Sequence, residues 1–236
     1  MICDAHTHIK IKDLKYLCDN EIYSMACAMN PEESKELIEN TAECKYINPT
    51  CAIHPNYSDR YEVSEMMPYF DKVKVIGEIG MDDVWCTVPL VDQRTAFLKQ
   101  LNIAEETNKP VIIHSKGMER LVADILKNYS MPKIIHWYSS LNYLELYFKM
   151  DCYFTIGPGI LSGDESVINL VKRLPLNRLL VETDGIEAIN WALGKEADID
   201  ITKDTLLMMC QKISSIKNEP IELVNENIEK NFLTFF

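Results

Sequence analysis

The chain has five histidines, and their placement says more than their number. His6 and His8 stand two residues apart in Asp4-Ala5-His6-Thr7-His8. On an extended backbone alternate side chains share a face, so Asp4, His6 and His8 point one way. Two imidazoles on one face can chelate one divalent ion, with Asp4 supporting them from behind. His114 ends the apolar run Val111-Ile112-Ile113, His136 ends Ile134-Ile135, and His54 stands before Pro55. A single histidine after an apolar run is ordinarily a satisfied polar group. Five at the ends of such runs form a pattern that packing does not explain. Glu78 lies between glycines in Gly77-Glu78-Ile79-Gly80, a poor position for a solvated charge, and its two oxygens could join cations ~3.5–4 Å apart. Glu182 and Asp184 follow Leu179-Leu180-Val181, where a buried acid pair requires cations or strong donors. Such a set can hold one or two metal ions and activate water.

These side chains need a scaffold that brings distant strand ends together. Short β-rich runs recur at 1–3, 22–28, 46–53, 73–79, 110–114, 133–137, 152–156 and 178–182. They are continuously apolar, as strands covered on both faces are. Between them the period is helical. Asp92 is placed to cap a helix that buries Phe97, Leu101 and Ala104 and stops before Pro110. Leu121, Val122, Ile125 and Leu126 mark another, and Pro220 opens a last one carrying Val224, Ile228 and Phe232. Strict β–α alternation predicts parallel strands with right-handed crossovers, and eight units in 236 residues fit an α/β, (β/α)8 TIM-type barrel. Every histidine then sits at the C-terminal rim, where such barrels build their sites. With no linker or low-complexity tract, residues 1–236 are expected to form a single domain.

The composition, 47% apolar and 25% charged, suits a globular core. The formal charge of −12 excludes coating of duplex DNA or anionic membranes by bulk electrostatics. No apolar run approaches the ~18 residues that span a bilayer, and no secretory signal is legible. The eight cysteines include no C-x-x-C pair and are read as free thiols in a reducing compartment, so a cytoplasmic location is expected.

The same motifs, taken in order, resemble the TatD family of metal-dependent hydrolases. Asp4-Ala5-His6-Thr7-His8, Gly77-Glu78-Ile79-Gly80-Met81-Asp82, Val111-Ile112-Ile113-His114-Ser115 and Glu182-Thr183-Asp184 carry the likeness. Ile53-His54-Pro55 and Gln93 with Phe97 and Leu101 extend it. The resemblance implies a barrel with a binuclear site and metal-dependent phosphodiesterase activity, commonly DNase. It implies that His6, His8 and Asp184 bind one metal, that Glu78 bridges, and that His114 and His136 hold the second. Some positions depart from the family pattern: Asp83 stands for its Tyr, Lys116 for its Arg, Trp137 for its Cys and Gly185-Ile186 for its Ala-Pro. The ligand positions are intact, whereas the substrate-facing ones have drifted.

The expected reaction is phosphodiester hydrolysis by two divalent metals (Mg, Mn or Zn), with Asp184 as general base and Glu78 as bridge. His54 and Lys116 would contact a phosphate, and Trp137, with Trp85, could stack on a base. Local metal charge on an acidic chain favours single-stranded ends or short oligonucleotides as substrate. A second reading keeps the site and changes the bond: an amidohydrolase, lactonase or deacylase. A third is a degenerate barrel that docks in a larger complex. The run Gly157-Pro158-Gly159 is expected to be a turn.

Overall fold

The computed structural model describes residues 1–236. Eight parallel strands form one sheet in sequence order. They are β1 (Ile2–Thr7), β2 (Ile22–Ala28), β3 (Ile47–Cys51), β4 (Val75–Asp82), β5 (Val111–Lys116), β6 (Lys133–Ile135), β7 (Tyr153–Ile156) and β8 (Leu179–Val181). Each expected run holds a strand, and helices fill the connections. Ile76, Ile79, Ile112, Ile113, Leu180 and Val181 are buried, as befits a sheet with covered faces. The result is a nearly closed (β/α)8 barrel.

The strands β1 and β4 run further than their apolar patterns suggested, to Thr7 and Asp82, so His6 sits inside a strand instead of beyond one and Asp82 closes β4. Backbone pairing continues through polar residues once neighbouring strands hold them in register: Gly80 faces His114 and Asp82 faces Lys116 across the β4–β5 pair.

The seam between β8 and β1 closes differently from the others. Asp184 donates its backbone N–H to the His6 carbonyl at 3.1 Å. Asp4, fully buried, accepts the Thr183 N–H at 2.9 Å and the Thr183 hydroxyl at 2.6 Å. Burial pushes the Asp4 carboxyl up to about 7 against the pull of those donors. Asp4 therefore serves as a clasp, and does not back a histidine as its place in the motif had suggested.

The helix Leu90–Glu106 buries Phe97, Leu101 and Ala104 as expected, but Asp92 does not cap it. Pro89 occupies the cap position, its carbonyl accepting the Asp92 and Gln93 amides, and Asp92 falls in the first turn. Two buried amides on this helix hold the rim. Gln100 brackets the Ile53 backbone at 2.7 and 3.0 Å, and Gln93 does the same for Asp82 at 2.8 and 3.0 Å. The run after β7 is more than a turn, since Pro158 opens the short helix Gly159–Ser162.

One expectation about cysteine fails. Cys18 and Cys44 form a disulfide across Cα atoms 6.2 Å apart, within the normal span of such bonds. Both lie in connections entering β2 and β3, an adjacency that their separation of 26 residues did not reveal. The other six remain free. A reducing compartment therefore no longer follows from cysteine usage. No helix is long and apolar enough to cross a membrane.

Removing the clasp should loosen the seam. Asp4→Ala leaves the Thr183 amide and hydroxyl without their buried acceptor, so unfolding stability should drop by ~2–4 kcal/mol. Denaturant titration with an unchanged slope is the measurement, and an unaltered midpoint would rule the clasp out.

Candidate metal centre

Side chains from β1, β4, β5, β6 and β8 meet at the C-terminal mouth. His6 and His8 turn their Nε2 atoms toward each other at 3.3 Å. The Glu78 Oε2 atom lies 3.5 Å from His6 Nε2 and 3.4 Å from His8 Nε2. Asp184 Oδ1 lies 3.4 and 3.7 Å from the same two nitrogens. Four donors around one tetrahedral ion with bonds of 2.0–2.2 Å would stand ~3.3–3.6 Å apart. Five of the six edges of such a site run 3.3–3.7 Å here, close to the spacing that a divalent cation sets. The donor set, two imidazoles and two carboxylates, suits one chemically as well.

The second oxygen of Glu78 faces a different pair of rings. Its Oε1 is 2.6 Å from His114 Nδ1 and 3.5 Å from His136 Nε2. His136 is oriented by Glu182, whose Oε2 lies 2.8 Å from Nδ1 and whose Oε1 accepts the Trp137 amide at 3.0 Å. A carboxylate on Nδ1 leaves Nε2 free to ligate, the usual arrangement behind a metal-bound imidazole. His114 has its other nitrogen 2.8 Å from Asp82 Oδ2. Asp82 Oδ1 in turn accepts the amides of Val84 and Trp85, tying the loop after β4 to that ring.

His54 sits at the edge of the cluster. Its Nδ1 accepts the Asn56 amide at 3.1 Å, which puts the ring proton on Nε2, 3.7 Å from Glu78 Oε2. Burial pushes this imidazole down to about 3, so it stays neutral and presents an N–H donor.

Charge compensation binds the cluster together. Burial alone would raise Glu78, but His136, His54 and His114 outweigh it and hold the carboxyl well below its usual range. Burial likewise opposes, and His136 and His6 overcome, a shift that keeps Asp184 ionised. The same coupling works in reverse: burial disfavours the charged rings, yet Glu78 and Asp82 raise His114 to about 9, and Glu182 and Glu78 raise His136 to about 10. Protons here hold positions that a cation can take.

His6, His8, Glu78, His114, His136 and Asp184 thus converge, while Glu182 backs His136 and Asp4 stands apart in the seam. By donor proximity the groups are His6 with His136 and Asp184, His54 with Glu78 and His114, and His6 and His8 with Glu78 and Cys27. The anticipated pairing of His114 with His136 is looser, with rings 6.1 Å apart. Lys116 and Trp137 line the cavity above the cluster. Three residues escaped the sequence reading. Asp82 was legible through strand spacing, four residues after Glu78 on the same face. Cys27 and Trp191 gave no comparable signal.

A TIM barrel whose strand ends deliver histidines and carboxylates to one buried cluster defines a class of centre built for divalent ions. Within that class, the chain matches the family described as TatD related DNase over residues 3–236, and it belongs to the TatD family. It is 32% identical over 142 residues to the metal-dependent hydrolase YabD of Bacillus subtilis, covering 58% of this chain and 55% of YabD. It is 26% identical over 174 residues to human deoxyribonuclease TATDN3, covering 71% of this chain and 61% of that protein. The matched stretch is thus under two thirds of either relative's length. The TatD homologue YJJV of Escherichia coli shares the fold at a TM-score of 0.88 and 20% identity, covering 100% of this chain and 97% of that one.

The cluster depends on a close approach of β4 and β5. A Cβ at Gly80 would fall 1.8 Å from the His114 carbonyl oxygen. Gly80→Ala must therefore push the two strands apart and separate Glu78 from His114. The protein should lose at least the ~1–3 kcal/mol typical of overpacking, and bind less divalent metal by elemental analysis. Retention of both stability and metal would show that β4 accommodates the methyl group.

Proposed function

We propose that the protein is a metal-dependent phosphodiesterase that hydrolyses nucleic-acid strand ends. The observation that carries the reading is the ring of four donors, His6, His8, Glu78 and Asp184, with edges of 3.3–3.7 Å at the C-terminal mouth of a barrel. These four would hold one divalent ion. Glu78 Oε1, with His114 and His136, would hold a second, so that Glu78 bridges the two. Bound metals supply Lewis-acid polarisation of the phosphoryl group and lower the pKa of a nearby water.

The remaining work falls to the chain's own residues. Asp184, kept ionised by its histidine neighbours, takes a proton from the attacking water on its free oxygen. The water oxygen bonds to phosphorus as the P–O bond to the leaving alkoxide breaks, and the proton held on Asp184 passes to that alkoxide as it departs. His54 presents its Nε2 hydrogen to a phosphate oxygen, and Lys116 places a point charge beside it. Glu182 holds the His136 ring in its ligating orientation. Nuclease chemistry is supported by the name of the human relative, TATDN3, and by the description of the family. Single-stranded ends are favoured because a chain of net charge −12 has little attraction for a long duplex.

Two measurements test this reading. Protein stripped of metal and reloaded with Mg, Mn or Zn should bind about two equivalents and cleave single-stranded DNA faster than duplex DNA. Activity on carbonyl esters with none on phosphodiesters would redirect the same site to amidohydrolase chemistry. Asp184→Asn should keep metal at the Glu78, His114 and His136 position. Single-turnover cleavage should fall by ~10²–10⁴, the range for loss of a general base. Near-normal turnover by the loaded variant would remove Asp184 from proton transfer.

A further inference from the structure

The chain contains three tryptophans, and all three line the cavity of about 580 Å³ that opens over the histidine–carboxylate cluster. Large aromatic rings are ordinarily covered, yet Trp85 and Trp191 are 66% and 64% exposed. Two ring-to-ring steps, of 6.3 and 6.2 Å, lead from His136 to Trp137 and from Trp137 to Trp191. Trp85 carries the Lys116 ammonium 4.4 Å from its ring centroid.

Local structure holds these rings in place. Trp137 has φ of 43°, a left-handed conformation that bulky residues rarely adopt, and its amide is fixed by Thr155 Oγ1 and Glu182 Oε1 at 2.9 and 3.0 Å. Its indole lies against Gly157, where a Cβ would come within 2.8 Å of the ring. The Trp85 amide is bound by Asp82, the residue that also contacts His114. Trp191 stands on the helix Ile186–Leu193, which begins two residues after Asp184. Trp137 follows His136 directly, Trp85 follows Asp82 by three residues and Trp191 follows Asp184 by seven, so each ring stands on a segment that also carries a residue of the cluster.

We propose that Trp191 and Trp137 form a stacking wall, with Trp85 and Lys116 also lining the cavity, that seats the unpaired base of the nucleotide next to the scissile phosphate. This inference rests on the phosphodiesterase reading and adds to it the part of the substrate that is recognised. Aromatic faces accept any base, so recognition is tolerant of sequence. It requires the base to be free of its stack and its partner, which restricts the ligand to single-stranded or frayed termini. The electrostatics point the same way. Lys116 is the only lysine or arginine lining the cavity, and Asp82, Asp164 and Asp184 line it too. A site with one fixed cation cannot follow a polyanionic backbone over many phosphates, so attraction beyond the metals must come from stacking.

The test compares two single-stranded oligonucleotides that differ only in whether the terminal residue carries a base or is abasic. Stacking on one base corresponds to roughly a 5- to 150-fold difference in affinity. Metal-loaded wild type should prefer the base-bearing strand within that range in kcat/KM, with quenching of tryptophan fluorescence on binding. In Trp191→Ala, with its metal content checked on the same preparation, the preference should collapse to about twofold or less. Trp191→Phe, which keeps a ring, should retain part of it. Full preference in Trp191→Ala, alongside normal cleavage, overturns the stacking wall and leaves the nuclease reading standing. Cleavage of neither strand by the loaded wild type overturns the nuclease reading, and the stacking wall with it.

Discussion

Glu78 is a carboxylate with almost no contact with solvent, and an uncompensated charge at such a position is among the most expensive things a protein can bury. Compensation comes from imidazoles on four separate segments: His6 and His8 around β1, His54 after β3, His114 on β5 and His136 after β6. Withdrawing His114 or His136 would leave a charge stranded, and withdrawing the others would strip Glu78 of ring nitrogens 3.4–3.7 Å away. Electrostatic balance at one pair of oxygens therefore fixes the relative positions of half the barrel's strand ends. The same balance makes the cluster a receptor for cations, since rings that carry protons can exchange them for a metal.

The surrounding scaffold converts that balance into fixed geometry. Gln93 and Gln100 lie on the buried face of one helix and bracket the backbone at Asp82 and Ile53 with paired hydrogen bonds. An apolar side chain at either place would fill space equally well, but it would not set where a rim loop begins. The helix thus determines where His54 and the Asp82 loop stand, although it contributes no residue to the centre. Glu182 plays the corresponding role from β8, holding both the His136 ring and the amide that follows it.

The fold was legible because covered parallel strands write themselves as continuous apolar runs, and eight of them alternate with helical periodicity. The histidines and acids were legible because each closes such a run. What escaped notice depended on contacts between distant segments. The pairing of Asp82 with His114 arises from the register of β4 against β5, and the Cys18–Cys44 bond from two connections meeting below the barrel. Asp4 looked like a partner for a histidine from its motif, yet its carboxylate bonds Thr183 across the seam, a contact 179 positions away in sequence. Asp92 looked like a cap because capping residues precede helices, but the chain turned into the helix earlier, at Pro89. Trp191 lies on a short helix where exposure, not periodicity, makes the ring conspicuous.

The seam between the last strand and the first carries a consequence for how this chain comes into being. Asp4 and Thr183 are separated by 179 positions, and Asp184 reaches His6 over nearly the same distance. A ribosome delivers His6, His8 and Glu78 well before Asp184, which follows only after the eighth strand has emerged. Until then the early histidines belong to an open sheet with a bare edge, and contacts of such sequence separation are the slow ones to form. Closing the barrel and completing the cluster are consequently late and nearly simultaneous, so a nascent chain halted before the eighth strand has neither.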